Sequence, residues 1–137
     1  MRLSVFMSIL MALIVLGGCA SLKEKAKCIA GVSTKDLEIG RTNALVQSFA
    51  YDYNTCYNKV REALIKNDAY IYAKKQDLIA IYVTAQDTTP VGLFFKKIDA
   101  GSTQVEVSSP STYAKEQIAA KVFAALLAKA EEEGSAQ

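Results

Sequence analysis

The sequence predicts an α+β fold: an antiparallel β-sheet of about five strands with two helices packed on one face, in the order β-α-β-β-β-β-α. Three observations carry that expectation. Four short β-rich runs between Tyr70 and Ser108 are divided by turn-forming residues at the spacing of hairpins. Two longer segments flanking these runs repeat apolar residues at helical spacing. A fifth run, beginning near Leu45, alternates apolar and polar residues ahead of the first helix.

In that fifth run Phe49, Tyr51 and Tyr53 alternate with Ala50 and Asp52, the period of a half-buried strand. Asn54-Thr55 then offers a helix cap. Cys56, Val60, Ala63 and Leu64 share one helical face, with Asn58, Lys59, Glu62 and Lys66 elsewhere, so an amphipathic helix is expected from Thr55 to about Lys66. Asn67-Asp68 ends it. Tyr70 to Lys74 and Leu78 to Thr84 form one expected hairpin around Lys75-Gln76-Asp77, and Val91 to Ile98 and Thr103 to Ser108 a second around Asp99-Ala100-Gly101-Ser102. Val105 and Val107 alternate with Gln104, Glu106 and Ser108, so the last strand has one buried and one wet face. Ser109-Pro110 favours a helix start nearby, and Ile118, Val122, Leu126 and Ala130 give that helix an apolar stripe to lay on the sheet. Glu131-Glu132-Glu133 oppose the helix dipole, so the end is expected to fray.

Ahead of the domain the composition changes. Residues 1–18 read as a signal peptide: Arg2 supplies the charged start, Leu3 to Leu16 the apolar stretch, and Gly17-Gly18 its end. The stretch is shorter than the roughly 20 residues a spanning helix needs. Removing 18 residues from 137 leaves 119, enough for one modest domain with a core. Residues 19–44 then read as a tether, mixed and mostly polar with a short helix near Lys35 to Gly40, and residues 45–137 as the α+β domain. With Arg2 gone, 15 basic residues face 14 acidic ones. Nucleic-acid binding rests on a clustered basic excess, and none is visible here.

Leu16-Gly17-Gly18-Cys19 resembles the lipobox of bacterial lipoproteins, in which a branched aliphatic residue and small residues precede a cysteine. The resemblance covers residues 1–19. It implies that Cys19 receives a diacylglyceryl group on its thiol, that cleavage before it makes it the first residue, and that the membrane is reached through that lipid. Ala20 stands where the inner-membrane retention signal of some lipoproteins has Asp, so the resemblance also implies an outer-membrane anchor facing the periplasm. Two other readings use the same residues: Gly18-Cys19-Ala20 fits an ordinary secretory cleavage site, and an uncleaved short membrane helix is the third. The domain resembles, by pattern alone, small periplasmic lipoprotein domains of uncharacterised function with a strand-helix-strands-helix order, which implies no active site.

Three cysteines leave one to explain in an exported chain, and lipidation of Cys19 explains it. Cys28 and Cys56 then form an even pair, expected as a disulfide in an oxidising compartment, with a free Cys28 and a core Cys56 as the alternative. A metal site is not expected, since the two are 28 positions apart and the chain has no histidine.

Chemistry is sparse. Without histidine there is no Ser-His or Cys-His pair, and Asp68, Asp77, Asp87 and Asp99 fall at turns, where Asp bonds nearby backbone. Asp52 falls on the polar side of the first strand. Thr112 and Lys115 are spaced like a hydroxyl-lysine nucleophile pair, but helix-cap chemistry explains them better. No glycine-rich phosphate loop is present, and no cofactor is expected. The surplus is tyrosine: of seven, Tyr51, Tyr53, Tyr70, Tyr72 and Tyr82 cluster on the expected sheet, where amphipathic rings suit ordinary strands and protein interfaces alike. The functional expectation is therefore a non-catalytic interaction or structural module of the cell envelope, with an envelope protein as a possible partner. The alternative is a carrier that holds a lipid or cell-wall fragment between helix and sheet.

Overall fold

The hairpin signals and helical stripes place their elements where the computed structural model has them, and the model describes residues 34–135. The leader, Cys19 and Cys28 lie outside the described residues. In chain order the elements are a short helix α1 (Thr34–Ile39), a 3-10 turn (Gly40–Asn43), β1 (Leu45–Phe49), α2 (Tyr53–Lys66), β2 (Tyr70–Lys74), β3 (Leu78–Tyr82), β4 (Pro90–Asp99), β5 (Ser102–Ser108) and α3 (Thr112–Ser135). The fold is α+β, with five antiparallel strands in the order β1-β5-β4-β3-β2. The last four strands form a meander, and α2 carries the chain from β1 at one edge to β2 at the other.

The first strand is shorter than its alternation suggested. It stops at Phe49 because Asp52 is the helix cap: its backbone is extended (φ −61°, ψ 161°) and its carboxylate accepts from the Thr55 amide at 3.0 Å. Tyr53 consequently opens α2 instead of continuing the strand. The cap expected at Asn54-Thr55 lies two residues upstream, and Asp52, expected on a strand's polar side, performs it. At the far end the Asn67 amide bonds to the Ala63 and Leu64 carbonyls, and its side chain to Ala63 O at 2.7 Å, closing the last turn. For α3 the start is set by Ser111, whose hydroxyl accepts from the Ala114 amide at 3.2 Å, and the helix continues past Ala130 to Ser135.

α2 and α3 lie on one face of the sheet, as expected. Cys56, Val60 and Leu64 from α2, with Ala114, Ile118, Val122 and Leu126 from α3, pack on Ile79, Ile81, Val91, Leu93, Phe95, Val105 and Val107. Each Leu- or Ile-sized side chain so buried stabilises by about 1.5–3 kcal/mol relative to leaving it exposed.

The opposite face carries a helix the expected order did not contain. α1, placed by the sequence in a tether, buries Leu37 completely against Leu78, Ala80 and Phe94. Two glycines allow the approach. A Cβ on Gly92 would stand 3.0 Å from the Phe94 ring and 3.1 Å from Leu37 Cβ, and one on Gly40 would stand 2.7 Å from the Ser108 hydroxyl. That hydroxyl, fully buried, donates to Leu37 O at 2.7 Å. Arg41 completes the attachment, with Nε 2.7 Å from Glu106 Oε2 and its guanidinium 4.5 Å from the centre of the Phe94 ring. α1 and the 3-10 turn thus pack with the sheet that follows them.

Candidate functional site

The five tyrosines that the sequence groups on one sheet divide into a structural set and a surface set. Tyr51 is buried in the helix-side core and its hydroxyl donates to Leu126 O at 3.0 Å, tying β1's exit to α3. Tyr53 donates to Gln76 O at 2.6 Å, and Tyr57, from the same helix, to Lys75 O at 3.2 Å, so both hold the β2–β3 turn. Their rings pack on Phe95 with centroids 6.2 Å and 4.9 Å away. Lys59 lies 4.9 Å from the centre of the Tyr51 ring. These three rings are framework.

Tyr70, Tyr72 and Tyr82 stand apart from them, on the face that α1 only partly covers. Tyr70 and Tyr82 are register partners across β2 and β3. Tyr72 shares their face by the alternation of a strand, and a bulge between Ile71 and Ala73 turns Ala73 to the same side. The rings form one stack with Tyr82 in the middle, 6.1 Å from Tyr70 at 13° and 4.5 Å from Tyr72 at 30°. At the inner end, the Tyr72 hydroxyl is buried without a hydrogen-bond partner among the described residues. Burial first, and the nearby Tyr82 second, push it up to about 12. At the outer end Tyr70 remains 53% exposed.

A shallow groove of about 540 Å³ adjoins that free ring, lined by Ile65, Asp68, Tyr70, Thr84 and Gln86 among others. Asp68 adopts a left-handed backbone (φ 60°) where α2 ends, a position that Asp tolerates, and its amide donates to Ile65 O. Ile65, at 57% exposure, and Tyr70 are apolar, while Asp68, Thr84 and Gln86 form a polar rim. An aromatic platform inside a polar rim is the composition of a contact surface. The Tyr-x-Tyr of β2 is visible in the sequence; the rim is not, because it comes from two loops.

Of the four carboxylates that the sequence assigned to turns, those of Asp87 and Asp99 bond nearby groups. Asp87 accepts from the Thr89 amide and hydroxyl, and Asp99 from the Gly101 amide at 2.8 Å. The Asp77 carbonyl accepts from the Phe95 amide. Lys115, of the Thr112–Lys115 spacing, donates its ammonium to Asn43 O at 2.6 Å, so it ties α3 to the entry of β1. Among the described residues no group of three His, Cys, Asp or Glu is placed to hold a metal ion, and no helix is long and apolar enough to cross a membrane.

Among the described residues Cys56 has no disulfide partner, and it is fully buried in the helix-side core. Cys28 lies outside the described residues, and a bridge would require it to reach that interior. Burial, and to a smaller extent the Asp52 carboxylate, push the Cys56 thiol up to about 11 from an ordinary 9.0. An unfolded chain loses this proton near pH 9 and the folded chain only near 11, so in between the folded state binds more protons. The contribution is full below about pH 9 and is lost as pH rises toward 11, up to roughly 2–3 kcal/mol for a two-unit shift. The melting temperature is therefore expected to fall across this window, and Cys56→Ala to flatten that part of the fall. Identical slopes in the two proteins would contradict it.

No protein-family model matches the chain, and no curated protein matches it.

Proposed function

We propose that this chain is a lipid-anchored protein of a bacterial cell envelope, in which Cys19 is acylated and the folded domain is a non-catalytic interaction or structural module. The observation that carries the reading is Leu16-Gly17-Gly18-Cys19 at the end of an apolar leader with a charged start. Two or more acyl chains on one residue make a stable anchor, where a single chain is marginal. Ala20 directs the anchored chain to the outer membrane, facing the periplasm. Thirteen residues separate Cys19 from Ser33, where the compact unit starts.

Two features of the domain support a contact role over a carrier role. The side chains between helices and sheet form one buried cluster. The half-exposed Tyr70, beside an apolar and polar groove, offers area at low entropic cost, as interface aromatics do. A photo-crosslinking residue at position 70 is expected to give a reproducible protein adduct in intact cells, and one at the more exposed Tyr113 none. Equal yields at both positions, or none at 70, would count against the tyrosine surface as the contact.

A further inference from the structure

The two edges of the sheet are treated differently. β2 is blunted: a bulge interrupts it between Ile71 and Ala73, and Lys74 stands at its end. Both devices stop an edge from accepting another strand. β1 has neither. Its five residues, Leu-Val-Gln-Ser-Phe, carry no charge and no proline, and pair with β5 without a register shift. Among the described residues no strand pairs with its outer edge.

Exposed apolar side chains flank that edge, beside the Lys115 ammonium at its entry. Leu45 is 36% and Val46 53% exposed, on opposite faces of the strand. Phe123 of α3 packs on Phe49, ring centres 5.5 Å apart, and Leu127, one turn further along the same side of α3, is 48% exposed. A straight, neutral edge continued by an apolar helix flank is an unfinished interface.

We propose that β1 pairs antiparallel with β1 of a second copy of this chain, across a two-fold axis at Gln47, so that the two sheets become one and the α3 helices lie side by side on one face. In this register Leu45 stands opposite the other copy's Phe49, Val46 opposite its Ser48, and Gln47 opposite itself. The occupant follows from charge and size. An uncharged strand meets no like charge in its own copy, and the two Gln47 amides each bring donors and an acceptor. A helix of 24 residues is about 36 Å long, and five strand residues extend about 17 Å, so pairing along both buries on the order of 1,000 Å² in total. That reaches the size of a specific, modest dimer. A self-complementary patch of this kind closes at two copies, whereas a head-to-tail contact would continue. The inference stands whether or not Cys19 carries lipid.

Crosslinking in whole cells expressing the full chain tests it. Gln47→Cys in a Cys28→Ser background, treated with a short membrane-permeant bis-maleimide, is expected to give a band at twice the chain mass. Lys74→Cys on the opposite edge is expected to give only monomer, and adding Val46→Lys to Gln47→Cys to weaken the dimer band at least tenfold. Ser48→Cys combined with Val46→Cys serves as the second reporter, since the two positions face each other in the proposed register. Labelling of position 47 by a monofunctional maleimide with no dimer band would overturn the proposal. So would equal bands from both edges, or an adduct at position 47 whose partner is a different protein.

Discussion

Leu37→Ala is expected to destabilise the domain by about 2–4 kcal/mol, the range for emptying a fully buried leucine site. A tether residue would give a different result, since surface substitutions away from special features stay within about 0.5 kcal/mol. The size follows from what Leu37 covers. Its side chain closes a small core of Leu78, Ala80 and Phe94, and its carbonyl accepts the hydrogen bond of the otherwise isolated Ser108 hydroxyl. Truncation leaves that core open and loosens the hold on the hydroxyl, which costs further if it is left buried and unpaired. The measurement is denaturant unfolding of wild type, Leu37→Ala and Ile39→Ala. Ile39 is exposed on the same helix and is expected to change little. A Leu37→Ala midpoint equal to wild type would mean that α1 does not belong to the cooperative unit.

Cys19→Ala is expected to abolish acylation and to leave the precursor uncleaved. Without the thiol there is no site for the diacylglyceryl group, and lipoprotein processing follows lipid addition. Each lost acyl methylene removes about 0.8 kcal/mol of membrane affinity, so losing two or three chains removes the stable anchor altogether. The variant then depends on its apolar leader alone, which is short for a spanning helix. On a gel it should run as the larger precursor, extractable from membranes under conditions that retain wild type. Identical migration and retention of the two proteins would set the anchor elsewhere.

Most of the fold was legible because its signals are periodic. Val105 and Val107 alternate with Gln104, Glu106 and Ser108, and the structure buries the first set against the helices, while Ser108, expected on the wet face, is buried under α1. Ile118, Val122 and Leu126 fall on one stripe of α3 and meet the same core. α1 was legible as a short helix near Lys35 to Gly40, but its packing on the sheet was not, because six residues with one buried leucine make no periodic stripe. A signal for it did exist elsewhere. Leu78 to Ile81 and Val91 to Phe95 are nearly continuous apolar runs, the mark of strands covered on both faces, and a second layer was needed to cover them. The overlong first strand has a local cause: alternation continued through Tyr51 and Tyr53, but Asp52 serves better as a cap than as a strand residue. The tyrosine surface was half legible. The sequence holds the rings, but only the pairing of β2 with β3 separates Tyr70, Tyr72 and Tyr82 from the structural Tyr51 and Tyr53.

The intact mass of the full-length gene product purified from membranes tests the anchor most directly. A chain beginning at Cys19 and carrying the added mass of a diacylglyceryl group, with or without a third acyl chain on its amino terminus, is the expected result, with fatty-acid label lost in Cys19→Ala. A chain that begins at Met1 or after Ala20, or equal label in both proteins, would contradict lipid anchoring through Cys19.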